Sequence, residues 1–221
     1  MLRFLIGIVL CCVSACSFFA PANIQTKNST DLEARGIKRI AVIFPNGRVP
    51  EPTAQPTYAP PEKGPTEEEL AELLARLVYS SMASMPSWQI VSEKEVREVG
   101  LSVPASADVA RLRKIAEMVY ADALIVGRME RYRERIGNEW GAKSPASVAF
   151  ALNLIDVRRG DVIWSARFDE TQKPLSENIF AIGQVGQRGI RWLSAEQLTQ
   201  EGVKKAVAQL HQSLVRSPAA S

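Results

Sequence analysis

The groups in this sequence that could do chemistry are few: one imidazole, four carboxylates on neighbouring segments, and one glycine-spaced stretch. His211 stands among Gln209, Gln212 and Ser213. A Ser-His-Asp or Cys-His device would rest on that one ring, and the usual ligands of a tetrahedral zinc site are missing. It reads as an exposed surface residue. Gly183-x-x-Gly186-x-x-Gly189 matches neither the dinucleotide-binding spacing nor a phosphate loop, so it reads as a flexible loop. Glu130, Glu134, Asp169 and Glu170 would serve acid/base hydrolysis if their strands were neighbours. They are interleaved with Arg128, Arg131, Arg133, Arg135 and Arg167, however, and cross-strand ion pairing on a solvated face accounts for them without chemistry. A carboxylate-dependent cell-wall hydrolase is therefore the least favoured reading, and no metal or cofactor is implied.

The elements that must position these groups can be read from composition and period. The chain has 221 residues, 46% hydrophobic and 23% charged, with a net charge of +3 and no block of five like charges. That suits one moderate domain with accessory segments and gives no footprint for nucleic acid. Residues 37–44 (IKRIAVIF) read as a strand stopped by Pro45-Asn46-Gly47. Residues 45–65 hold seven of the thirteen prolines and read as a long loop; Tyr58 beside Pro60 and Pro61 could make it a stiff recognition strip for an aromatic groove. Thr66-x-x-Glu69 is a capping box opening a helix with the stripe Leu70, Leu73, Leu74, Leu77, Val78 and Met82. Residues 88–91 form a short strand, Ser92 caps a brief helix that stops at Gly100, and Ser106 caps a helix over 107–120. Strands follow at 123–135, 147–157 and 161–170, the last two joined as a hairpin by Arg158-Arg159-Gly160. Ser194 then caps a final amphipathic helix, and residues 216–221 fray. The order predicts an α/β (α+β) single domain over 37–215, a mixed sheet packed against helices.

At the amino terminus, Met1-Leu2-Arg3 precedes ten apolar residues, 4–13, too short for a helix to cross a bilayer of about 30 Å. It reads as a signal peptide. Its end, Val13-Ser14-Ala15-Cys16, resembles the lipobox of bacterial lipoproteins. That resemblance implies cleavage after residue 15, acylation of Cys16 with three chains including palmitate, and a permanent anchor. Cys11 and Cys12 would be discarded with the signal, leaving no thiol for a disulfide. Ser17 in place of an aspartate implies the outer membrane, with the body facing the periplasm. Residues 16–36 have no sustained period and read as a lipidated flexible tether, about 65 Å long when stretched.

The run 122–127 (DALIVG), a strand ending Leu154-Ile155-Asp156 and the turn into 160–164 (GDVIW) resemble a superfamily of envelope lipoproteins. Its members include the amino-terminal domain of TolB, the curli secretion-channel lipoproteins and the lipoprotein activators of peptidoglycan synthases. Over 37–214 the resemblance implies an anticodon-binding-domain-like fold and a non-catalytic role as an adaptor, binding envelope proteins or assembling with its own copies. The alternative is an oligomeric subunit of an outer-membrane secretion channel. Against a lipid-facing hairpin, 127–143 place charges on both alternating faces. Tyr132, Trp140 and Trp192, flanked by charge or glycine, are candidate partner-binding residues along with Tyr58, Pro60 and Pro61.

Overall fold

The computed structural model describes residues 23–44, 64–85, 88–104, 108–139, 141–172 and 192–215. Chain order is β1 (Ile24–Asn28), a 3-10 turn (Glu33–Arg35), β2 (Arg39–Val42), α1 (Glu67–Met82), β3 (Gln89–Ile90), α2 (Glu93–Ser102) and α3 (Val109–Met118). There follow β4 (Ala123–Arg133), β5 (Ile136–Gly137), β6 (Ala142–Ser144), β7 (Ser147–Asp156), β8 (Val162–Thr171) and α4 (Ala195–Val215). Six strands form one mixed sheet in the order β1-β8-β7-β4-β2-β3, and β5 pairs with β6 apart from it. The pairs β1–β8, β8–β7 and β7–β4 are antiparallel, whereas β2 lies parallel to both β4 and β3.

Helices cover the two faces unequally, because the apolar residues are unequally placed. On one face Val42, Ile125, Phe150, Leu152, Trp164 and Phe168 pack against the stripes of α1 and α4. On the other, α2 and α3 cover only a corner, where Leu124, Val126, Ile155 and Val157 meet Leu112 and Ile115. The helix starts follow local chemistry. Thr66 accepts the Glu69 N–H while Glu69 accepts the Thr66 N–H at 2.7 Å, and Ser194 and Gln197 exchange the same pair of bonds at the start of α4. Ser92 caps α2, which runs two residues past Gly100 to Ser102. At α3 the cap is Asp108, which accepts the Arg111 N–H at 2.7 Å, in place of the expected Ser106; Ser106 itself lies outside the described residues.

The flexible tether expected over 16–36 does not hold from Ile24 onward, where the chain is folded. β1 is an edge strand with only Ile24 turned into the core, so its exposed remainder carries no period. Leu32 is also buried, and Arg35 then fastens the segment. Its Nε donates to Asp31 at 2.9 Å, Nη1 to Asp156 at 2.8 Å and Nη2 to Asp161 at 2.8 Å, with Asp156 2% exposed. Asp156 Oδ1 also accepts the N–H groups of Arg158 and Arg159, which sets the β7–β8 turn. Gly160 stands there at φ +78°, against the Arg113 guanidinium. The other expected boundaries move little: the strand expected over 37–44 pairs over 39–42, and the one expected to Arg135 ends at Arg133. Residues 1–22, 45–63 and 216–221, including the signal, most of the proline-rich loop and the tail, lie outside the described residues.

Two predictions follow from this packing. A Cβ on Gly202 of α4 would lie 2.8 Å from the Phe168 ring and 2.9 Å from Phe150, whereas at Gly100 of α2 it would meet only Ile115 at 3.8 Å. G202A is therefore expected to destabilise by about 1–3 kcal/mol despite the helix propensity of alanine, and G100A to stabilise by up to about 1 kcal/mol. Urea midpoints of the two variants should move in opposite directions. The second concerns acid. Burial alone would raise the Asp156 pKa, but the Arg159 N–H, the Arg35 guanidinium and the Arg158 N–H outweigh it and hold it below the usual value; the Ser29 hydroxyl and then Arg35 lower Asp31. Carboxylates lowered in the folded state stabilise it above the unfolded pKa of about 3.9, and that stability is lost as pH falls through the folded value. Thermal melts should show R35Q with a lower Tm at pH 7 and a shallower loss than the parent between about pH 4 and pH 2.

Candidate functional site

Beyond the corner held by α2 and α3, the second face of the sheet carries side chains that no helix among the described residues covers, and the strand register sets what they are. β4 and β8 flank β7, so their side chains stand about 10 Å apart across it. Across β7, Arg128 pairs in register with Ala151 and Arg167, and Arg131 with Ala149 and Asp169. The two alanines are small enough for the long side chains to lie over them and meet. Arg167 Nε donates to Glu130 at 2.8 Å, Arg128 Nη2 donates to the same carboxylate at 3.1 Å, and Arg131 Nη2 donates to Asp169. Arg131 Nε also donates to Ser147 Oγ at 2.8 Å, and that hydroxyl lies 2.5 Å from Thr171 Oγ1. Ala149 is 1% exposed beneath this cover, with no helix of the described residues above it.

The alternation is set by a bulge. Between Met129 and Arg131 the register slips, so Glu130 has no opposite residue on β7. Met129 and Tyr132 both pack on the helical side, while Glu130 and Arg131 both belong to the open side. Unbroken alternation would have placed Arg131 in the core. This resolves why the sequence shows charge on both alternating positions of this strand.

The four carboxylates are thereby separated. Glu130 and Asp169 share the open face, with Arg167 standing between them at 2.8 Å from one and 4.0 Å from the other. A glycosidase needs that space for the sugar. Glu170 is buried on the helical face, and Glu134 accepts the Ala195 N–H at 3.1 Å at the start of α4, where the helix dipole favours it. The open-face charges also support one another: Glu130, followed by Asp169, raises the Arg167 pKa above its ordinary value. Among the described residues no group of three His, Cys, Asp or Glu side chains is arranged to hold a metal ion, and no helix is long and apolar enough to cross a membrane.

The residues singled out in the sequence fall in different places. Tyr132 is half-buried against the helical core, and burial, then the charges of Glu134 and Glu196, push its hydroxyl up to about 12. It is a packing residue and no exposed platform. Trp192 is half-buried too; its N–H donates to Glu139 O at 2.9 Å and its carbonyl accepts from Arg135, which ties the strand end to α4. His211, expected at the surface, sits edge-on to Trp88 with ring centroids 5.4 Å apart, because the last turns of α4 close over the end of β3. Cys16, Tyr58, Pro60, Pro61, Trp140 and the glycines 183, 186 and 189 lie outside the described residues. Sequence reasoning passed over Gln25, Lys27, Ser147, Ala149 and Ala151. The only signal for the alanines was their alternation with large apolar residues in 147–154.

No family model matches this chain, and no curated protein matches it. Among solved structures it is similar to the PelC dodecamer from Paraburkholderia phytofirmans, at 15% identity over 85% of this chain and 96% of that one, with a TM-score of 0.47. It is similar to the LpoB C-terminal domain from Salmonella enterica at 15% identity, over 62% of this chain and 84% of that one, with a TM-score of 0.36. With the lipoprotein GNA1162 from Neisseria meningitidis the identity is 16%, the coverage 68% of this chain and 97% of that one, and the TM-score 0.38. A lipoprotein is thus among the chains to which it is similar.

Proposed function

We propose that this chain is a non-catalytic, lipid-anchored adaptor of the outer membrane whose periplasmic body offers a protein-binding surface to an envelope assembly. The observation that carries the reading is the half of the sheet that no helix among the described residues covers, where a guanidinium fills the gap between the two carboxylates that hydrolysis would need open. What remains is a surface for contact. The anchor rests on the lipobox-like 13–16 and on the distance to the fold: β1 begins eight residues after Cys16, a reach of at most about 29 Å. The body is therefore held close to the bilayer, on a shorter leash than a tether running to residue 36 would give. Tyr58, Pro60, Pro61 and Trp140 are further candidate contacts within this reading.

The anchor is tested by C16S, which should accumulate as the uncleaved precursor, take up no palmitate label and leave the membrane fraction. The binding face is tested by a photoreactive amino acid at Gln25, exposed on the edge of the open face, and at Lys204, exposed on α4. In living cells the first position should give a discrete adduct with another envelope protein and the second none. A ladder of self-adducts from Gln25 would favour the secretion-channel subunit instead, and no adduct at all would remove support for an adaptor.

A further inference from the structure

The open face is unbalanced in charge. Lys27, Arg128, Arg131, Arg133 and Arg167 all belong to it by register. Among the described residues, only Glu130 and Asp169 oppose them there. Resting on the adaptor reading, we propose that this face docks the carboxylate-rich surface of a folded partner protein.

Three observations favour that occupant. First, the cations lie both inside and around the ion-paired strip: Arg128 and Arg131 are 30% and 27% exposed within it, Arg167 is 58% exposed above it, and Lys27 and Arg133 stand exposed at its margins. The inner guanidiniums are already held by Glu130, Asp169 and Ser147, so they lose little freedom on binding a further carboxylate. Second, Ala149 and Ala151 keep the floor low, so a broad surface can lie against the guanidiniums. Third, the strip alternates Arg128, Glu130, Arg167, Asp169 and Arg131. A uniform sheet of anionic headgroups would be repelled at two of those five places. A protein can instead set its own carboxylates opposite the cations alone. The chain's own segments are poor occupants: 173–191 carry Lys173, Arg188 and Arg191 against Glu177, and 45–63 carry two cations and two carboxylates.

The chemistry suggests a zero-length probe. A water-soluble carbodiimide joins an amine to a carboxylate in direct contact, and the full-length lipidated chain in isolated envelopes offers Lys27 on this face, while R167K adds a second amine with the charge kept. Mass spectrometry should find isopeptide bonds from Lys27 and from position 167 of R167K to Asp or Glu side chains of one other envelope protein. R133E/R167E should lower the yield at Lys27 about tenfold, as should raising the salt from 50 to 500 mM. Should the double reversal fail to fold, judged by circular dichroism, Q25E on the exposed edge strand is the substitute, read by the yield at position 167 of R167K. Bonds to the carboxylates of a second copy of this chain would overturn the proposal in favour of self-association. Binding to phosphatidylglycerol vesicles that R133E/R167E abolishes would assign the face to lipid. A photoadduct from Gln25 without any carbodiimide bond would leave an adaptor whose partner is not acidic. Absence of both would remove the adaptor reading together with this one.

Discussion

One unpaired residue decides what the open half of the sheet displays. Glu130, left over where β4 slips against β7, reverses the inside–outside order of everything after it. Tyr132 is thereby delivered to the helices and Arg131 to solvent, where it reaches Ser147 and Asp169. The same slip sets Glu130 beside Arg131 on one face, and that brings its carboxylate within reach of both Arg128 and Arg167. Bulge, alanines and arginines are one device: β7 contributes a low floor, and its two neighbours contribute arms long enough to meet over it.

The opposite end of the sheet is fastened by charge of another kind. Arg35 is 7% exposed and bonded to three aspartates, a geometry in which desolvation offsets much of the Coulomb attraction. Such a cluster adds position more than stability. It fixes the segment after β1 to the β7–β8 turn, and Arg113, donating to the Val157 carbonyl at 2.9 Å, fixes that turn to α3. Any pull arriving from an acylated Cys16 would thus be shared by the ladder of β1 with β8 and by this cluster, and would not be borne by a single edge strand.

Much of this architecture is legible in the sequence because it rests on short-range chemistry. The capping box at Thr66, the cap at Ser194, the helical stripes after them and the Arg158-Arg159-Gly160 turn are each determined within a few residues, and each is found where it is read. β1 is not legible, since an edge strand with one inward residue has the composition of a linker. Nor is the contact of His211 with Trp88, which joins segments more than a hundred residues apart. The open face was half legible. Its arginines and carboxylates stood out as an interleaved set suited to ion pairing, but which of them share a face depends on a bulge that no local period announces. Glu134 shows the limit well: from sequence it is one of four similar carboxylates, and in the fold it is the N-terminal partner of a helix sixty residues away.

The energetics of the two faces bear on why so much charge is kept on one of them. Burial of Leu74, Val78, Phe150, Leu152, Phe168 and Leu210 between sheet and helices supplies the cohesion, at about 1.5–3 kcal/mol for each fully buried large side chain. A partly exposed ion pair contributes about 0–1 kcal/mol, and holding long arginines in one geometry costs conformational entropy. Stability alone would be served as well by threonine and valine on the open side, the residues that strands ordinarily carry. A lattice in which cations outnumber carboxylates, laid over two alanines and covered by no helix among the described residues, adds little to that cohesion, and the proposed docking of a further surface would give its charge a use.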